Sequence, residues 1–112
     1  MKQRTKQFAL RVVRMFCALP KSVEAQVLGK QALRAGTPAG AHYRKASRAR
    51  SPAELISKLE VALQELDETE YWLELIVESE IIPQKRLEGL VAEIQELMAI
   101  LVASVKTAKK NK

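Results

Sequence analysis

The sequence predicts an all-α protein, an antiparallel up-down four-helix bundle whose second helix is kinked near Pro38. Three observations carry that expectation. Four stretches repeat apolar residues at helical spacing, prolines punctuate the boundaries between them, and no run alternates apolar and polar residues long enough to make a strand. The helices are placed at residues 3–18, 23–49, 52–79 and 83–108 of a single domain spanning 1–112.

In the first helix, Phe8, Val12, Met15, Phe16 and Leu19 fall on one face at about 100° per residue, while Arg4, Arg11 and Arg14 gather on another. Leu19-Pro20-Lys21-Ser22 stops it, and Ser22 is placed to cap the next helix. The second helix lines up Leu28, Ala32, Ala35, Ala39, Tyr43 and Ala46, a face small enough for a neighbouring helix to approach closely. Gly36-Thr37-Pro38-Ala39-Gly40 interrupts it, because a mid-helix proline removes a donor and clashes with the preceding turn at a cost of ~3 kcal/mol. The apolar and basic faces keep phase across the interruption, so a kinked continuous helix is expected.

Ser51-Pro52-Ala53-Glu54 is the sharpest local signal: a serine N-cap, proline at the first helical position, and a glutamate placed to close a capping box. From there Leu55, Leu59, Ala62, Leu63, Leu66, Leu73 and Val77 define the third helix. Ile81-Ile82-Pro83 ends it and opens the fourth. There Leu87, Leu90, Val91, Ile94, Leu97, Met98, Leu101, Val102 and Val105 form the last stripe, followed by lysines that suit the negative end of a helix dipole.

With 112 residues the chain has room for one domain, and five aromatics leave the core to aliphatic side chains. The longest apolar run, Leu97 to Val105, falls short of the ~20 residues of a membrane span. Met1 to Val23 is basic and acid-free, which is also the composition of a mitochondrial presequence, but its regular apolar stripe favours a helix of the fold. The single cysteine, Cys17, closes no intrachain disulfide and suits a reducing, cytoplasmic setting. A di-iron carboxylate bundle needs two Glu-x-x-His pairs, and the chain has one histidine, His42. Cys17 and His42 alone do not make a zinc site, no nucleophile elbow is present, and Gly36-x-x-x-Gly40 lacks the lysine and preceding strand of a phosphate loop. No catalytic residue, metal or cofactor is therefore expected. The acids of the third helix, Glu60, Glu65, Asp67, Glu68, Glu74 and Glu78, read mostly as a solvated face. Glu70, at the margin of the apolar stripe, calls for a partner such as an arginine from the first two helices.

Charge is the most informative property. Residues 1–52 hold twelve Lys or Arg and one acid, residues 53–104 hold three Lys or Arg and twelve acids, and the last eight add four lysines. Such asymmetry points to an anionic partner for the first half, or to basic and acidic faces that pair between copies. Arg4, Arg11, Arg14, Lys30, Arg34, Arg44, Lys45, Arg48 and Arg50 are the candidate phosphate contacts, and Tyr43 is a candidate stacking residue.

Leu33 to Ala46, followed by Ser47-Arg48-Ala49-Arg50-Ser51 and Leu55-Ile56-Ser57-Lys58-Leu59, resembles the bacterial four-helix-bundle family encoded in 23S rRNA intervening sequences. Ala62 to Leu75, containing Glu68, Tyr71 and Trp72, is similar to that family's second motif. Within the two motifs Arg34, His42, Glu68 and Trp72 occupy family-motif positions. The resemblance implies a homo-oligomer, typically a pentamer, with no known enzymatic activity. Its relatives include the accessory protein of diversity-generating retroelements, which binds nucleic acid and a reverse transcriptase. Pro38 stands where the pattern usually has Ser, His42 where it has Asn, and Lys45 where it has Glu.

The leading expectation is a cytoplasmic, non-enzymatic homo-oligomer that binds RNA or DNA through the basic first half. The alternative is an interaction scaffold whose basic half pairs with the acidic third helix of neighbouring subunits. An enzyme would need a polar pocket between subunits around His42, Glu68 and Trp72.

Overall fold

Local sequence signals translate into five helical segments in the computed structural model, which describes residues 1–111. These are α1 (Lys2–Cys17), α2 (Val23–Gly36), α3 (Pro38–Ser47), α4 (Pro52–Glu78) and α5 (Gln84–Lys110), with no strand among the described residues. Ser22 caps α2 by accepting from the Ala25 N–H at 3.3 Å, and Ser51 caps α4 by accepting from the Glu54 N–H at 3.1 Å. The return arm of the expected capping box reaches one residue further back: Glu54 Oε2 accepts from the Arg50 N–H at 3.4 Å.

Between Gly36 and Pro38 the helix assignment breaks at Thr37, where φ −72° and ψ −34° are still right-handed helical. Pro38 brings no N–H to the Arg34 carbonyl four residues behind it, while the Thr37 N–H and hydroxyl both donate to the Leu33 carbonyl, at 3.1 and 2.8 Å. Both segments pack on α4 and on α1. Counting α2 and α3 as one interrupted helix, the protein is an all-α assembly of four helices, 48 × 20 × 19 Å.

The α4–α5 turn closes with a left-handed residue. Glu80 has φ 60°, the Ile81 N–H donates to the Ile76 carbonyl at 3.1 Å, and the Glu80 N–H donates to the Val77 carbonyl at 2.9 Å. That is a Schellman ending with glutamate where glycine is usual.

Phe8, Val12, Leu66, Leu73, Ile76, Ile94, Leu97 and Leu101 are the large, fully buried side chains of one aliphatic core. On α4 the buried set is Ile56, Leu59, Ala62, Leu66, Thr69, Leu73 and Ile76, while Leu55, Leu63 and Val77 of the expected stripe are half-buried. The shift arises because α4 packs against α2, α3 and α5, so its apolar surface is broader than a single stripe. Thr69 is wholly buried and donates to the Glu65 carbonyl at 2.6 Å, which spares it an unmet hydroxyl. At Gly36 three helices meet closely. A β-carbon built there would lie 3.0 and 3.2 Å from the Val12 methyls and 3.3 Å from the Thr69 methyl, so glycine lets α2 fit between α1 and α4.

Candidate nucleic-acid interface

The nine cations picked out in the first half separate into three environments. Arg4 is engaged within the chain: Nε donates to Glu93 Oε2 at 2.9 Å, Nη2 to Glu93 Oε1 at 2.8 Å, and Nη2 lies 2.9 Å from Glu96 Oε1. This forked contact ties α1 to α5, raises the Arg4 pKa further, and holds the Glu93 carboxyl below the usual carboxylate range. Arg4 is thus a helix-to-helix clamp rather than a free phosphate contact, a partner choice that the spacing along α1 alone does not reveal.

Arg11 and Arg14 are exposed on the flank of α1 that faces α5. Lys30, Arg34, Lys45 and Arg48 are exposed along α2, α3 and the turn after α3, in helical register with one another. Arg44 and Arg50 are exposed beside that line, and Arg44 borders a cleft with Thr5, Lys6, Thr37 and Gly40. Among the described residues none of these eight cationic side-chain groups has a carboxylate oxygen within 4.0 Å. Tyr43 is half-buried against the core. The exposed aromatic is instead Tyr71 on α4, set edge-on to Trp72 with ring centroids 5.0 Å apart.

Sequence reasoning missed Arg86. It lines a cleft with Arg11 and Arg14, bringing a third guanidinium from α5 to the α1 pair. The signal was available: the first turn of α5 contains Lys85 and Arg86 and no acid, the reverse of what a helix dipole favours.

His42 and Glu65 form the other polar feature, joining α3 to α4. His42 Nδ1 lies 2.8 Å from Glu65 Oε1 and 3.2 Å from the Pro38 carbonyl oxygen. With Glu65 ionised both oxygens are acceptors, so Nδ1 carries the hydrogen and donates. Burial pushes the Glu65 carboxyl up, and the His42 hydrogen bond only partly offsets it. Glu65 therefore leaves the solvated acidic face to which periodicity assigned it. Glu70 likewise finds a different partner: its Oε2 accepts from the Gln95 side-chain amide of α5 at 3.0 Å, not from an arginine.

Glu68 is exposed and Trp72 half-buried one turn further along α4. Among the described residues no three His, Cys, Asp or Glu side chains converge to hold a metal. Cys17 is an exposed free thiol, and no helix is long and apolar enough to cross a membrane.

Against this geometry, the family model described as "23S rRNA-intervening sequence protein" matches residues 1–103. The chain belongs to that family. A crystal structure described as a protein of unknown function from the S23 ribosomal protein family of Bacteroides thetaiotaomicron is similar to it, with 38% identity, a TM-score of 0.87, and coverage of 94% of this chain and 97% of that one. No curated protein matches the chain. Within this intervening-sequence protein, the family-motif positions Arg34, His42, Glu68 and Trp72 are dispersed over α2, α3 and α4. Of the four, and among the described residues, only His42 is hydrogen-bonded to a side chain of another helix.

Proposed function

We propose that this intervening-sequence protein is a non-enzymatic, homo-oligomeric RNA- or DNA-binding bundle. In this reading it is an antiparallel up-down bundle kinked at Thr37–Pro38, working in the bacterial cytoplasm. The observation that carries it is electrostatic. Among the described residues, eight of the nine candidate cations are exposed and have no carboxylate within 4.0 Å of their charged groups. A surface that spent its charges internally would have no reason to keep so many free.

Phosphate contacts of this kind are led by charge and tolerant of sequence, since each bound cation displaces condensed counterions. Filter binding of RNA and DNA over a salt series tests the proposal. The expected result is affinity that falls steeply and linearly in log–log form as salt rises. Flat affinity between low and physiological salt, or no binding, overturns it.

The scaffold reading has an observation of its own. The acids Glu60, Asp67, Glu68, Glu74 and Glu78 of α4 are exposed too, and the described residues offer them no cation within 4.0 Å. Pairing of these acids with α2–α3 cations of a neighbouring copy would consume the basic surface. Native mass in solution separates the two readings. A pentamer that persists at high salt leaves the basic face free, whereas one that dissociates as salt rises is held by those cations. A protein partner such as a reverse transcriptase belongs to the first reading, docked on an assembled particle.

A further inference from the structure

Arg11, Arg14 and Arg86 surround a cleft of about 270 Å³ whose floor is Met15, Ala18, Ile82, Leu87 and Leu90. Its two walls are the last turns of α1 and the first turns of α5, with Ile82 from the connecting turn. The exposed cations of α2 and α3 do not line it. Gly89 contributes to its shape. Among the described residues, and apart from its chain neighbours and the backbone of α5 itself, a β-carbon built there would meet Arg11 Nη2 alone, at 3.2 Å, so the missing side chain leaves room for the Arg11 guanidinium against α5.

No acid lines the cleft, and Glu93, which feels the Arg11 charge, has both its oxygens already engaged by Arg4. Three guanidiniums and an apolar floor remain for a ligand. Guanidinium groups bind phosphate in a forked geometry and also stack flat on planar rings. An apolar floor accepts the ring itself. At about 270 Å³ the cleft lies just under the ~300–1,000 Å³ of sites that engulf a drug-sized molecule, a scale suited to one ring system with its phosphates outside.

We propose that this cleft takes an unstacked base of a single-stranded nucleic acid, with Arg11, Arg14 and Arg86 on the flanking phosphates. This rests on the nucleic-acid reading above and adds a preference to it: single strands with bases over duplexes and over bare backbone. A duplex keeps its bases stacked and paired, so it engages the arginines without filling the floor.

The test compares three oligonucleotides matched in phosphate number, a thymidine 12-mer, its abasic counterpart and a GC-rich hairpin duplex closed by an abasic linker, by fluorescence anisotropy at fixed salt. Base stacking contributes ~1–3 kcal/mol per base, so the base-bearing strand is expected to bind about tenfold or more tightly than the abasic one. Ala18→Phe fills the cleft from an exposed position without changing any charge. It is expected to erase that tenfold difference and leave abasic and duplex binding unchanged. Arg86→Ala, also exposed, is expected to weaken the base-bearing strand more than the duplex, with circular dichroism of both variants matching the parent. Equal binding of base-bearing and abasic strands, or an advantage that survives Ala18→Phe, overturns the cleft proposal and leaves the basic-surface reading standing. Tighter binding of the duplex does the same. Binding of none of the three overturns both. Polyglutamate that displaces the strand from the parent but not from Ala18→Phe assigns the cleft to an acidic protein segment and overturns it as well.

Discussion

Replacing glycine with alanine at two positions should move stability in opposite directions, although the chemical change is the same. Alanine is favoured over glycine inside a helix by about 0.8–1 kcal/mol. At Gly89 the new methyl meets only Arg11 Nη2, the far end of a flexible exposed side chain, so most of that preference survives. Gly89→Ala is expected to stabilise by about 0.5–1 kcal/mol. At Gly36 the methyl would sit 3.0–3.3 Å from methyls of both Val12 and Thr69. Those residues are wholly buried and β-branched, so neither turns aside. Overpacking of this kind costs about 1–3 kcal/mol, and because Gly36 ends α2, little helix preference offsets it. Gly36→Ala is expected to destabilise by about 1–2 kcal/mol. Urea unfolding at one fixed protomer concentration reads both values, because association also shifts the midpoint. Thermal midpoints should separate by roughly 8 °C for about 2 kcal/mol in a chain this long. If both variants move the same way, helix preference alone governs these sites and the packing argument is wrong.

Three further substitutions probe the same physics. Glu80→Gly relieves a left-handed residue at the α4 terminus and should raise the urea midpoint by the equivalent of about 1 kcal/mol; no gain would mean that the turn is not strained. Ser51→Ala removes the α4 cap and should cost about 1 kcal/mol, with Ser51→Gly costing only a few tenths. Glu65 and Glu93 side chains are equally exposed, 17% each, yet their carboxyls shift in opposite directions, so their glutamine variants should diverge with pH. Glu65, raised by burial, favours the fold while protonated and loses that contribution as pH rises through its folded value. Glu93, lowered by Arg4, favours the fold while ionised and loses that contribution as pH falls. From pH 4 to 7, Glu65→Gln should therefore gain stability relative to the parent and Glu93→Gln should lose it, read as thermal midpoints; parallel trends would refute the assignment.

What the sequence made legible was whatever one helix settles by itself. The four predicted helices begin and end within two residues of the observed ones, because caps, prolines and apolar spacing act locally. Thr37 lay at the limit of that reasoning: periodicity carried the face through, while the missing Pro38 N–H divides the segment. Family membership was also legible, through the motifs around His42 and Trp72. Partners across helices were not. Arg4, Arg11 and Arg14 look alike along α1, but of the three Arg4 is the one in ion-pair contact with Glu93 and Glu96, and that contact depends on how α5 is set against α1. Glu65 and Glu70 were misplaced for the same reason, and Arg86 went unnoticed because its significance appears only when α5 returns beside α1.

The break at Thr37 has a consequence for the order in which the chain organises. α2 has 14 residues and α3 has 10, at or below the ~12–15 needed for even marginal helicity in water. Neither sustains itself, and the 27-residue α4 acts as a splint for both. Stable structure in α2 and α3 should therefore wait for synthesis of a segment that follows them. Transient release of one end of α4 should free one short segment while its neighbour stays docked, so opening begins in the middle of the sequence rather than only at its termini.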